Sequence, residues 1–233
     1  MPEKNRAVFH WSSGKDSAMA LHALLQNEAF QVDYLLTTAN EEFERVTMHG
    51  TPIPLVRAQA QNIGIPLHLV QLPANPSMEV YNQMMHEKLM MLSRSNCTHA
   101  AFGDIFLEDL RAYRDKEIAK AKMTSVYPIW QKDTHTLIKD FIDQGFKAVV
   151  VSANELLGAD FLGAEIDAHF LRHLPHDIDP CGENGEFHTF CYDGPIFKNE
   201  VAFQKGEKAA KAYPNPSGEG CVKFWFMDLI PTT

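Results

Sequence analysis

Ala7-Val8-Phe9-His10-Trp11-Ser12-Ser13-Gly14-Lys15-Asp16-Ser17-Ala18 decides the fold class. Its first five residues are a short apolar run of strand length. Ser12 to Ser17 follow as a Ser/Gly loop, and beyond them Ala18, Leu21, His22 and Leu25 recur at the spacing of one helix face. Strand, glycine loop and helix in that order have a chemical use. The first N–H groups of a helix lack intrahelical partners, and the helix dipole favours an anion there. Gly14 lets the backbone turn sharply and approach a phosphate closely. Ser12, Ser13 and Ser17 add hydroxyls, Lys15 adds a positive charge, and Asp16 adds a carboxylate of the kind that holds Mg²⁺. The loop has neither the G-x-x-x-x-G-K-S/T nor the G-x-G-x-x-G spacing. The plain alternative is a capped helix start, with Ser13 or Asp16 as the cap. The position directly after the first strand favours phosphate binding.

Outward from this unit the pattern repeats. Residues 32–38 read as a strand, and 55–63 as a helix stopped by Gly64 with Pro66 beyond. Residues 67–72 read as a strand, 77–93 as a Met-rich helix, 98–102 as a strand ending in Gly103-Asp104, and 108–123 as a charged amphipathic helix. Strands separated by helices of this length predict an α/β fold with a parallel sheet and covering helices. The second half is less regular. Residues 126–130, with Pro128 inside, read as a short edge strand at best. Helices are expected over 134–144 and 166–174, and strands over 148–152, 187–192 and 221–230, with a polar loop at 175–186 and a turn at Gly194-Pro195. The loss of regularity places a domain boundary near residue 130, giving units 1–130 and 131–233.

Composition bounds the function. The 233 residues are 45% hydrophobic and 22% charged, ordinary for a globular protein and incompatible with disorder throughout. A net charge of −9 speaks against a broad nucleic-acid surface. No apolar run reaches the length of a membrane span, and the N-terminal stretch is not a secretory signal. Cys97, Cys181, Cys191 and Cys221 form no C-x-x-C pair and read as free thiols, so a cytoplasmic location is expected. His176, Cys181, His188 and Cys191 cluster in sequence, but their spacing matches no standard zinc site. Met78, Met84, Met85, Met90 and Met91 read as core packing. Phe224-Trp225-Phe226 reads either as buried strand or as a contact in a homo-oligomer.

A second stretch is dense in chemistry: Asp179-Pro180-Cys181-Gly182-Glu183-Asn184-Gly185-Glu186-Phe187-His188-Thr189-Phe190. Gly182 and Gly185 permit tight turns. Glu183 and Glu186 suit a cation or a proton, and His188 suits proton transfer. Alternation along a strand puts His188 and Phe190 on one face and Phe187 and Thr189 on the other. The plain alternative is a polar turn with solvated acids.

The first loop resembles the pyrophosphate-binding S-G-G-x-D-S loop of the ATP pyrophosphatases, with Ser13 where that superfamily usually has Gly. The second stretch resembles the G-E-x-G-E-F/Y-x-T motif of the diphthine–ammonia ligase family. Gly103-Asp104-Ile105 with Glu108-Asp109-Leu110-Arg111, and Asp193-Gly194-Pro195-Ile196-Phe197, are similar to further segments of it, so the resemblance spans about residues 7 to 198. It implies a Rossmann-like nucleotide domain and a smaller C-terminal α/β domain, with ATP and a carboxylate acceptor meeting between them. Family members adenylate the carboxylate of diphthine, a modified histidine on translation elongation factor 2. Pyrophosphate leaves, and ammonia displaces AMP. Carried onto this chain, Ser12, Ser13, Gly14, Lys15, Asp16 and Ser17 would hold ATP, with Mg²⁺ on Asp16. Lys15, Asp16, Glu183, Glu186 and His188 would be catalytic, and Asp104, Gly182, Asn184 and Thr189 would contact the acceptor. Arg111 is the weaker candidate, since an arginine on a helix is more often solvated. Asn184 and His188 depart from the usual G-E-G-G-E-F/Y-E-T, which leaves the acceptor open between protein-borne diphthine and a small molecule. Two alternatives stand beside this reading: a sulfur-transfer enzyme using Cys181 or Cys191, and a non-catalytic sensor of ATP or AMP.

Overall fold

Strand and helix alternate from Asn5 as the spacing predicts. The computed structural model describes residues 3–47, 50–214 and 220–232. Met1 and Pro2, which open the N-terminal stretch read above, lie outside them. The elements are β1 (Asn5–His10), α1 (Lys15–Leu25), β2 (Phe30–Asn40), β3 (Arg45–Val46), α2 (Ile53–Ile63), β4 (Leu67–Leu72), α3 (Met78–Arg94), β5 (His99–Ala101), α4 (Glu108–Lys120) and β6 (Thr124–Val126). They continue with α5 (Thr134–Asp143), β7 (Lys147–Asn154), α6 (Ala168–His173), β8 (Phe187–Asp193), β9 (Phe203–Pro214) and β10 (Cys221–Pro231).

Local chemistry sets the ends. Gly64 closes α2 in the left-handed conformation at φ 83°, where glycine carries no penalty. Ser77 caps α3 by accepting from the Val80 N–H, and Asp133 caps α5 by accepting from the Thr136 N–H.

The first sheet is Rossmann-like. β1 lies between β2 and β5, all parallel; β4 adds to β2 and β6 to β5 in parallel, and the short β3 runs antiparallel to the end of β2. Strand order therefore reverses between β1 and β5. The crevice at the carboxyl ends of two such strands is where open α/β sheets bind ligands. The second sheet, β8-β7-β10-β9, is antiparallel throughout. Phe9, Trp11 and Leu21 of the first half share one continuous core with Val149, Phe187 and Phe190 of the second, while Val8, Leu36, Leu89 and Ile118 pack a separate core under α3 and α4.

Several expectations are corrected. β6 stops at Val126, so Pro128 lies in the following turn. α4 is not amphipathic: it buries only Ile118 among its thirteen residues. In α3, Met85 is buried, but Met78 and Met91 are exposed, so the methionines are not all core. Phe224, Trp225 and Phe226 are half-buried on β10, an inner strand of the second sheet. β9 carries no pattern visible in sequence. No helix among the described residues is long and apolar enough to cross a membrane.

Candidate active site

The loop after β1 is held from three sides. Ser13 sits at φ 74°, a backbone conformation that favours glycine. Its hydroxyl shares a hydrogen bond with Thr51 (2.9 Å), and its carbonyl accepts from the Cys191 N–H (2.9 Å) and from Gln59 Nε2 (3.1 Å). Gln59 is fully buried and also receives the Trp11 indole N–H and donates to the Cys191 carbonyl. Ser17 Oγ accepts from the Ser12 N–H, which closes the loop on itself. Gly14 caps α1 in extended conformation. The Lys15 N–H donates to Thr189 Oγ1 (3.0 Å), tying the start of α1 to β8.

A cleft of about 540 Å³ opens over this loop. Of the residues singled out in sequence, Ser12, Asp16, Ser17, Asp104, Gly182, Glu183, Asn184 and His188 line it. Gly103 explains how Asp104 arrives there: a Cβ on Gly103 would stand 3.0 Å from the Ser17 N, so the chain after β5 passes directly over the first turn of α1. Asp104 is gripped by Arg114, with Nε 2.9 Å from Oδ2 and Nη2 donating to Oδ1 at 3.1 Å. Glu183 Oε1 accepts from the backbone N–H groups of Ile105 (2.8 Å) and Phe106 (3.4 Å). This bridges the 179–186 loop to the end of β5.

Other expected residues serve elsewhere. Lys15 is 1% exposed and its ammonium turns inward, donating to the Cys181 carbonyl and to Asp16 Oδ2 (2.9 Å). Glu186 is 5% exposed and does not line the cleft. Its Oε1 accepts from the Asp179 N–H and the Asn184 amide, so it braces the loop from within. Ser13, Gly14 and Thr189 likewise build the frame rather than the cleft wall. Cys181 and Cys191 are buried and off the cleft, and burial pushes both thiols up, away from the thiolate a sulfur-transfer nucleophile needs. No group of three or more His, Cys, Asp or Glu that could hold a metal ion occurs among the described residues. Arg111 is 40% exposed and stacks over Trp130 at 4.6 Å, a surface role.

The electrostatics are uneven. Burial pushes the Glu183 carboxyl up to about 7, helped by the charges of Asp16 and Asp104 against the pull of its two backbone donors. Burial also raises Asp104, and Arg114 offsets part of that. Burial pulls Lys15 down, but Asp16 and Glu183 more than restore its charge. Across the cleft, burial and the charge of Arg114 pull the His10 imidazole down to about 3, so it is neutral at physiological pH.

Three residues escaped the sequence reading. Arg114 was available as the neighbour of Arg111, one turn along α4. Asp179, whose Oδ1 accepts from the Cys181 and Glu183 N–H groups, was within the second motif as a loop-forming acid. Gln59 gave no signal, because an amide on a helix is ordinary until its long-range partners are known.

Residues 5–124 match the diphthamide synthase N-terminal domain, and residues 133–214 match the diphthamide synthase C-terminal domain. The diphthine–ammonia ligase of Danio rerio is 20% identical over 183 residues, 75% of this chain and 70% of that protein. That of Schizosaccharomyces pombe is 29% identical over 98 residues, 40% of this chain and 16% of that protein. That of Bos taurus is 24% identical over 131 residues, 53% of this chain and 49% of that protein. The chain thus spans about half the bovine protein and a small part of the fission-yeast one. Among solved structures, a U34-tRNA thiolase from Methanococcus maripaludis overlaps 59% of this chain and 57% of that chain at a TM-score of 0.38 and 13% identity, too little to bear on function. With matches to both of its domains, the N-terminal one alone spanning more than half of the sequence, this chain belongs to the diphthamide synthase family.

Proposed function

We propose that the chain is an ATP-dependent ligase that adenylates a carboxylate, releases pyrophosphate and lets ammonia displace AMP. One observation carries the reading: the loop at the start of α1, Asp104 at the end of β5 and Glu183 from a loop far along the chain line a single cleft at the switch point of the sheet. Residues 1–130 are taken as the nucleotide-binding half and 131–233 as the half that presents the acceptor. Free thiols at Cys97, Cys181 and Cys191 suit a cytoplasmic setting.

The residues divide the work. The α1 N-terminus and the hydroxyls of Ser12 and Ser17 hold phosphate oxygens. Mg²⁺ fits the donor set, since it binds nucleotides through one or two carboxylates and the phosphates themselves, and Asp16 lies on the cleft wall with Lys15 steadying one of its oxygens. When bound, Mg²⁺ supplies charge stabilisation to the leaving pyrophosphate. Lys15 thus acts through Asp16 rather than on phosphate. Arg114 fixes Asp104 beside the acceptor. Glu183, poised near neutrality, accepts the proton that ammonium must lose before it attacks. His188, on the wall where relatives of the diphthamide type usually carry Glu, points to an acceptor other than diphthine.

The test is incubation with α-labelled ATP, Mg²⁺, ammonium and a nucleotide-stripped cell extract. The expected result is extract-dependent AMP and pyrophosphate, falling about 100-fold in Asp16→Ala. ADP as product would sink the adenylation reading. Tight AMP or ATP binding without turnover would favour the sensor.

A further inference from the structure

β9 is the outer strand of the second sheet, and among the described residues it pairs on one side only, with β10. From Gln204 to Tyr213 every residue is exposed except Gly206, which is half-buried. Such an edge offers a row of unpaired backbone donors and acceptors to another chain. Edges are normally guarded by projecting lysines, by bulges or by a covering element. Here two of the lysines are tied back onto their own chain: Lys205 Nζ donates to the Gly163 carbonyl (2.7 Å) and Glu165 (3.0 Å), and Lys208 Nζ to the Ala159 carbonyl (3.1 Å). A register shift lies near the start of β9, opposite Met227 and Leu229, and Lys208 to Pro214 run in regular register beyond it. Ala209, Ala210 and Ala212 keep that stretch slim.

The charge pattern selects a partner. When two copies of one strand pair antiparallel about a two-fold axis, facing residues share a side of the pleat and each pair occurs twice. Centring the pair on Ala209 sets Glu207 of each copy opposite Lys211 of the other and Lys208 opposite Ala210. Centring it on Lys208 or Lys211 sets lysine against lysine, centring it on Glu207 sets glutamate against glutamate, and centring it on Ala210 makes no charge pair. Opposite charges directly across strands stabilise and like charges destabilise. Lys211 already lies over the Phe226 ring at 5.7 Å, and by alternation it shares a face with Ala209, while Glu207 adjoins the register shift, where it and Gly206 both fall opposite Asp228.

We propose that β9 is a dimer seam, pairing antiparallel with β9 of a second copy in the register centred on Ala209 to make one continuous eight-stranded sheet. β8, which carries His188, is at the opposite edge of the sheet, so the cleft of each copy stays open. The inference is independent of the ligase reading.

Sedimentation velocity across the micromolar to millimolar range tests it. The wild type is expected to dimerise. Glu207→Lys alone and Lys211→Glu alone each weaken the dimer about tenfold or more, and the double reversal restores it. In a Cys221→Ser background, oxidised Ala209→Cys gives a covalent dimer and Ala212→Cys does not. Circular dichroism confirms that each variant is folded. A monomer at every concentration, a dimer indifferent to the single reversals, a double reversal without rescue, or equal crosslinking at positions 209 and 212 would each overturn the proposal.

Discussion

The two loops that meet in the cleft are built in opposite ways. In the 12–17 loop the side chains of Ser13 and Lys15 turn into the protein, toward Thr51 and the Cys181 carbonyl, and what faces the cleft is the start of a helix with Ser12, Asp16 and Ser17. In the 179–186 loop the backbone is spent internally: Asp179 Oδ1 takes the Cys181 and Glu183 N–H groups, and the Gly182 and Gly185 N–H groups go to the Asp179 and Gly182 carbonyls. That loop offers side chains instead, Glu183 above all. The first loop is suited to a ligand with many oxygens and no fixed shape. The second is suited to placing one titratable group.

The largest effect is expected where the second loop is tightest. Gly182 has φ 68°, and a Cβ there would stand 2.8 Å from the Phe187 carbonyl oxygen and 2.8 Å from its ring. Phe187 is a buried core residue and cannot yield. Gly182→Ala should cost about 3–4 kcal/mol in unfolding free energy, from overpacking plus left-handed strain. Gly185 is the internal control, with φ 84° and open space around its Cβ position. Gly185→Ala should cost only about 1 kcal/mol. Equal losses in denaturant melts would mean that packing against Phe187 does not define the loop.

Glu183 sharpens the contrast through pH. Its folded pKa, about 7, lies above the ordinary 4.5, so the folded chain holds that proton more tightly than the unfolded one. The resulting stability is fully present below pH 4.5 and is lost as pH rises through 7. Between about pH 8 and pH 5 the wild type should gain about 2–3 kcal/mol relative to Glu183→Gln, which lacks the titration. A constant difference between the two melts across that window would show that the carboxyl is solvated.

How far each loop was legible follows from what holds it. Residues 7–25 announce themselves because strand, glycine turn and helix face are local patterns, and the structure places β1 and α1 there. The inward turn of Lys15 was not legible, since its partner is a carbonyl at residue 181. Glu183 and Glu186 are the same residue type three positions apart, and only the fold decides that one faces the cleft while the other braces the loop. Arg111 and Arg114 present the same problem on α4. β9 was invisible because exposure on both faces removes the alternation by which a half-buried strand is recognised.

The smallest expected effect concerns Ser13, the one residue at which the first loop departs from the S-G-G-x-D-S pattern it resembles. Ser13 stands at φ 74° and is fully buried, so the chain bears a left-handed strain of about 1 kcal/mol at a position glycine would occupy freely. Against this stands the hydrogen bond between the Ser13 and Thr51 hydroxyls, worth about 1 kcal/mol and leaving a buried hydroxyl unpaired if removed. Ser13→Gly relieves the first and forfeits the second, so its stability should lie within about 0.5 kcal/mol of wild type. Ser13→Ala keeps the strain and loses the bond, and should fall by about 1–2 kcal/mol. Ser13→Gly in a Thr51→Val background, where the hydroxyl pair is gone from both sides, should be more stable than Thr51→Val alone. A loss there instead would mean that the serine shapes the loop by some contact other than Thr51, and that its left-handed backbone is not the cost it is taken to be.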